Sequence, residues 1–277
     1  MKEVYFDSNV YTHIHNRQHG ITDGDVLKLR AAVKADKIRI PSSTALLEET
    51  ICTILRSEKE AVALLKLIGT LTKRKRVIKY HFEMLEGTVI AFANGRNEPS
   101  PFMAPPANYV RVLRDHSRQH LDWIRQIAEE TKVVIDARRN STDDLYKKIR
   151  PLAEEEKEQG KQQSFEDYYE IHRDNLLELF AKHANVLDDC NRLDIRGLMN
   201  FKRIQVAVAS QLSLGYANTY VRTKIERGDS RDMHHAVLAT ATGTFVTHDN
   251  RFSKVLTRIP VDDFEIIDIH TLLDQVR

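Results

Sequence analysis

Cysteine is almost absent: Cys52 and Cys190 are the only two in 277 residues. Two cysteines cannot build a disulfide framework, and neither stands in a Cys/His spacing that reads as a zinc site. No stretch approaches the roughly 18 consecutive apolar residues of a membrane-spanning helix. The opening residues, Met1-Lys2-Glu3-Val4-Tyr5-Phe6-Asp7, bring charge at once and lack the apolar centre of a secretion signal. An excess of one charge is missing too. Lys and Arg number 42 against 40 Asp and Glu, for a net charge of +2. A whole-molecule basic field is thereby excluded, and any nucleic-acid binding has to come from local patches. From these absences we expect a cytoplasmic protein with no membrane association.

What is present is ordinary for a globular chain, with 42% hydrophobic and 30% charged residues. The length allows one large domain or two smaller ones, with a core that needs no cross-links.

The pattern at both ends alternates strand and helix. Val4-Tyr5-Phe6 reads as a short apolar strand ending at Asp7-Ser8-Asn9. A helix is expected over 25–34, where Val26, Leu29, Ala32 and Val33 share a face. Ile38 and Ile40 mark a second strand, stopped at Pro41, and Ser42 or Ser43 can cap a helix over 44–55. A further helix is expected over 58–71 and a third strand over 76–80. Near the other end, a long helix over 204–226 breaks at Gly228-Asp229-Ser230. A helix over 231–241, a strand over 244–247, a last strand over 264–267 and a short helix from His270 follow. Alternation of this kind argues for parallel pairing and an α/β fold, with helices layered on both faces of one sheet.

The middle differs. Asn94-Gly95-Arg96-Asn97-Glu98-Pro99-Ser100-Pro101 is rich in turn residues. About a hundred residues of charged helical pattern follow, over 109–132, 142–157 and 165–183, with one short strand expected over 132–135. We therefore expect residues 1–95 and 204–277 to form one α/β domain interrupted by a helical insertion over 96–203.

Four acids on four elements can meet on one sheet edge. Asp7 and Asp249 end strands, Glu48 or Glu49 lies near the start of the helix after strand two, and Asp232 lies in the first turn of a late helix. The C-terminal edge of an open α/β sheet is where ligands bind. Packed carboxylates repel and take up protons. A hard divalent cation relieves that repulsion, and it can hold a phosphate oxygen and activate a water.

Phe6-Asp7-Ser8-Asn9, the helix Thr44-Ala45-Leu46-Leu47-Glu48-Glu49, Arg231-Asp232-Met233-His234-His235-Ala236 and Val246-Thr247-His248-Asp249-Asn250-Arg251-Phe252 together resemble PIN-domain nucleases. The resemblance covers about 95 residues at the start and about 75 at the end. It implies a three-layer parallel sheet and a metal-dependent endoribonuclease, possible in a toxin-like form held by an antitoxin-like partner. It also implies Mg²⁺ or Mn²⁺ bound by Asp7, Glu49, Asp232 and Asp249, with Asn9 and Thr247 in support. Glu48 stands as the alternative to Glu49, and Asp229 as a substitute or helper for Asp232. The expected substrate is single-stranded RNA.

Each residue also has an ordinary use. Asp249 can cap the helix over 250–256, Asp229 or Ser230 can cap the helix before it, and Asp232 suits the positive end of that helix's dipole. Asp7 can fix a turn. The run Lys73-Arg74-Lys75-Arg76 is the best local phosphate-gripping patch, and it reads equally as a solvated helix end. His13, His15 and His19 read as loop or helix-face residues, His235 as packing and His234 as solvent-facing. Competing functions are an inactive PIN-like binding or scaffold protein, a nuclease acting on DNA, and a haloacid-dehalogenase-type phosphatase. The last wants a second Asp where Asn9 stands. Self-association is open.

Overall fold

The structure is a computed structural model that describes residues 1–159, 163–221 and 229–276. Within these, the side chains at 73–75, 138–150, 152–153, 156–157 and 229–230 lie outside the description.

The chain opens with β1 (Lys2–Glu3) and β2 (Tyr5–Phe6), two pieces of one extended segment. Then come α1 (Ser8–Asn16), α2 (Asp23–Lys34), β3 (Ile38–Ser43), α3 (Thr44–Cys52), α4 (Glu58–Leu71), β4 (Thr72–Ile78) and α5 (His81–Ala93). The middle holds β5 (Phe102–Met103), α6 (Ala107–Val112), α7 (Arg118–Glu158), α8 (Phe165–His183) and α9 (Leu187–Arg192). The return contains α10 (Lys202–Tyr216), α11 (Asp229–Ala239), β6 (Thr244–Val246), α12 (Asn250–Leu256), β7 (Glu265–Ile267) and α13 (Ile269–Gln275).

The architecture is mixed α/β around a curled, mainly parallel sheet. β1 pairs with β3 and β3 with β4, while β2 pairs with β6 and β6 with β7, all parallel. The first segment is therefore the hinge of the sheet: its amides bond toward β3 through Lys2 and Val4 and toward β6 through Asp7. The register sets Tyr5 beside Phe245 and Phe6 beside Val246. Strand side chains alternate between faces. Accordingly, Val4, Phe6, Ile40 and Val246 enter one core with α1, α2, α4 and α13, whereas Tyr5 and Phe245 enter another with α11 and α12.

Local chemistry explains the helix starts near the sheet. Thr22 and Asp25 form a reciprocal capping box at α2. Ser43 Oγ accepts the Leu46 N–H at α3, and Ser57 does the same for Glu60 at α4.

Several expectations are corrected. The sheet is not wholly parallel, because β5 runs antiparallel to β4 and closes that edge. Strand β4 begins at Thr72, directly out of α4, since Thr72 already pairs with Ile40. The basic run thus sits on a strand and not at a helix end. Residues 132–135 are helical within α7: Val133 and Val134 stay 69% and 49% exposed and gain no sheet partner. The helix expected over 109–132 is broken after Val112 and resumes at Arg118. The one over 204–226 ends its regular part at Tyr216, followed by a π-turn over Ala217–Val221. Residues 222–228 lie outside the description.

A third core joins α5, α8, α9 and α10 through Val89, Leu177, Cys190, Ile204 and Val208. Within it Arg203 of α10, 3% exposed, donates to the Met84 carbonyl (3.0 Å) and to Thr88 Oγ1 (2.8 Å) of α5, tying these two helices together. Among the described residues no helix is long and apolar enough to cross a membrane.

Candidate acid-cluster site

Asp7 follows β2 and stands at the N-cap position of α1, 2% exposed. Its carboxylate accepts from Thr247 Oγ1 (3.1 Å), Ser8 Oγ (3.3 Å) and, at the outer limit, Asn9 Nδ2 (3.5 Å). The Thr247 oxygen also accepts the Asp249 N–H (3.1 Å). One hydroxyl thus ties Asp7 to Asp249 across the β2–β6 pairing. Asp249 itself caps α12, accepting from the N–H groups of Arg251 and Phe252 at 2.9 Å each. Its ordinary use is therefore real, whatever else it does.

Glu49 points toward the same centre. Its side chain is 13% exposed and forms ion pairs with His235 Nε2 (3.3 Å) and Arg231 (3.6 Å). The His235 contact is an ion pair off the line of a hydrogen bond. The Ser8 hydroxyl, which donates to Asp7, also lies close enough to Glu49 to help lower its pKa. Glu48 turns elsewhere and accepts a bond from the Tyr80 hydroxyl. Asp232 lies on α11 three residues before His235, on the same helix face, and adds to the negative field on that ring. Asp229 opens α11, and its side chain lies outside the description.

His235, expected from the sequence to be a packing residue, sits at the centre of the cluster. It is 1% exposed. Its Nδ1 meets the Tyr5 hydroxyl at 2.7 Å, and that hydroxyl meets Ser43 Oγ at 2.9 Å. Burial alone would strip the imidazole of its proton. The Glu49 carboxylate, with Asp7 and Asp232 behind it, overrides burial and raises the His235 pKa to about 9. Burial likewise pushes Glu49 up, and the imidazolium, Ser8 and Arg231 outweigh it, bringing the carboxyl to about 2. Asp7 ends above its ordinary range: burial and the neighbouring Glu49 charge outweigh help from His235 and Thr247. A signal for His235 was in the sequence, since an i, i+3 step from Asp232 shares its face.

The structure also joins His13 and His19, near neighbours in the sequence, to the distant His248 in a nest beside the acids. His13 of α1, His19, and His248 lie with ring centroids 4.2, 5.0 and 5.2 Å apart, and His270 of α13 stands 6.4 Å from His248. Burial and mutual repulsion lower the pKa of His13 to about 4, and His248 is lowered for the same reasons. His234 is half-buried, and its ring lies flat on His81, centroids 3.6 Å apart.

Of the expected basic patch, the side chains of Lys73, Arg74 and Lys75 lie outside the description. Arg76 is engaged by Glu3 at 2.5 Å and lies over the Phe102 ring at 4.2 Å.

The donors Asp7, Glu49, Asp232 and Asp249 are all oxygens, the chemistry a hard divalent cation prefers. Among the described residues, no three His, Cys, Asp or Glu side chains are converged as the ligands of an ion. Instead, Glu49 is neutralised by His235 and Arg231, and Asp249 by the start of α12. No known protein family, no curated protein and no solved structure matches the chain.

Proposed function

We propose that the protein is a metal-dependent endoribonuclease with a three-layer, PIN-like arrangement. One observation carries the reading: parallel pairing of β2 with β6 brings Asp7 from one end of the chain and Thr247 and Asp249 from the other onto one edge, where Glu49 already points. The sequence motifs that resemble PIN nucleases are the ones this edge unites.

In this reading Asp7, Glu49, Asp232 and Asp249 would hold Mg²⁺ or Mn²⁺, which when bound supplies charge neutralisation and a water of lowered pKa. The chain's own residues do the rest. Thr247 orients Asp7 and positions the Asp249 backbone. Ser8 donates to Asp7 on the side where Glu49 lies. His235, held by Tyr5 and Ser43, keeps Glu49 ionised. Arg231, beside Glu49 at the start of α11, is placed to contact a phosphate. Single-stranded RNA is the substrate class.

The ion pair between Glu49 and His235 favours a second reading, in which the imidazolium replaces the metal permanently and the protein binds without cutting. One experiment separates the two. Wild type and Asp7→Asn are incubated with labelled single-stranded RNA, structured RNA and DNA, each with Mn²⁺, Mg²⁺ or EDTA. Cleavage by wild type only, and only with metal, is the expected result. No cleavage, together with no thermal stabilisation on adding either ion, would establish the binding-only reading. Cutting of DNA in preference to RNA would change the substrate class.

A further inference from the structure

A cavity of about 410 Å³ opens between α5, α8, α10 and α11, within the range of small-ligand pockets. Its walls are largely apolar, with Val89, Phe180 and Val237 among them, while Glu86, Gln211 and His183 supply polar groups. Two ring stacks stand at the α5 end. His81 and His234 lie within 12° of parallel at 3.6 Å, and Tyr80 and Phe82 within 21° at 5.3 Å. Phe82 lines the cavity and is 49% exposed.

The cavity and the acid cluster share their walls. On α11, Asp232 and His235 serve the cluster while Met233, His234 and Val237 line the cavity. On the opposite side Tyr80, next to His81, donates to Glu48, the neighbour of Glu49. A ligand lying across this wall would have one part among the acids and another in the cavity.

We propose that the cavity receives an unstacked nucleobase of a single-stranded RNA whose backbone passes the acid cluster. The inference rests on the nuclease reading for the course of the backbone. Flat rings at the entrance suit a flat heterocycle, and base–aromatic stacking is tolerant of sequence. Gln211 offers both a donor and an acceptor to a base edge, as single-stranded RNA recognition requires. Glu86 would repel a phosphate but not a neutral base, so the strand enters base-first. The pocket also draws on Phe180 and His183 of α8, which gives the helical middle of the chain a part in holding substrate.

The test uses the full chain in EDTA, so that binding is read without cleavage. The probe is a single-stranded oligoribonucleotide carrying one fluorescent adenine analogue, whose emission is quenched when it stacks. Wild type should quench it on binding. Phe82→Ala, which removes the rim ring, and Ala184→Phe, which fills the cavity, should each weaken binding about tenfold and restore emission. Circular dichroism of both variants should match wild type; Gln211→Leu replaces either one that does not. AMP should bind at least tenfold more weakly than the oligonucleotide. No binding, unchanged quenching in the folded variants, or equal affinity for AMP would each overturn the proposal. These outcomes are independent of cleavage. Lost RNA cleavage with intact quenching would sink the nuclease reading alone, and intact cleavage with no quenching would sink the base pocket alone.

Discussion

Two histidine environments lie on the same edge of the sheet and behave in opposite ways. His235 is buried against Glu49, with Asp7 and Asp232 near, and is held protonated with a pKa of about 9. His13 is packed against His19 and His248, and its pKa falls to about 4. Burial disfavours the proton in both. The neighbours decide the outcome: carboxylates overcome desolvation around one ring, and other imidazoles add to it around the other.

Breaking the first environment should have the largest effect. Glu49→Gln leaves a buried imidazole without its main counter-charge, and loss of one partner of a buried ion pair costs roughly 3–5 kcal/mol. We expect chemical denaturation at pH 6 to show a loss of that order, and NMR titration to show the His235 pKa falling toward its ordinary 6.5. A His235 that still titrates near 9 would mean that Asp7 and Asp232 alone hold the proton.

The pH profile sharpens the comparison. His235 has a folded pKa above its unfolded value, so its stabilising contribution is full below 6.5 and is lost as pH rises through about 9. Glu49 has a folded pKa below its unfolded value; its contribution is full above 4.5 and is lost as pH falls through about 2. His13 works the other way from His235. Its folded pKa is depressed, so the fold gains from it as pH rises from about 4 to 6.5. Denaturation midpoints should therefore fall between pH 6.5 and 9 in wild type and much less in Glu49→Gln. His13→Phe should instead flatten the rise between pH 4 and 6.5. Parallel profiles for the two variants would dissolve the distinction drawn between the clusters.

The smallest expected effect separates the two uses of Asp249. Asp249→Ala should cost about 1 kcal/mol as a lost helix cap. Asp249→Asn keeps an equally good cap and should retain nearly full stability. Under the nuclease reading both variants lose cleavage. Cleavage retained by Asp249→Asn would restrict Asp249 to capping α12.

Local features were the legible ones. Helices α4 and α8 fall where their apolar spacing and capping residues place them, at Glu58–Leu71 and Phe165–His183. Asp7 and Asp249 do lie just past strands, because short apolar runs ending in turn residues carry that information locally. Arrangements made by distant pairing were not legible. His13 and His248 become neighbours only through the β2–β6 pairing, and nothing near either residue announces it. β5 is two residues long and is defined by its partner β4 alone. The Val133–Val134 pair suggested a strand because β-branched residues favour one, but the long helical pattern on both sides prevailed. The ion pair of Glu49 with His235 was missed for a different reason: a histidine on a helix reads as packing until the acids opposite it are known.

The pairing of β2 with β6 has a consequence for how the molecule comes into being. The bond from Thr247 to Asp7 closes a separation of 240 residues. Contacts of such long range are late and slow to form, because the intervening chain must be ordered first. During synthesis the opening strand can pair with β3 early, yet its other edge stays open until residues 244–249 have emerged. If the acid cluster cuts RNA, the nascent chain cannot do so while still short. The ribosome, the RNA assembly closest to the growing chain, would be spared until residues 244–249 had been made and paired.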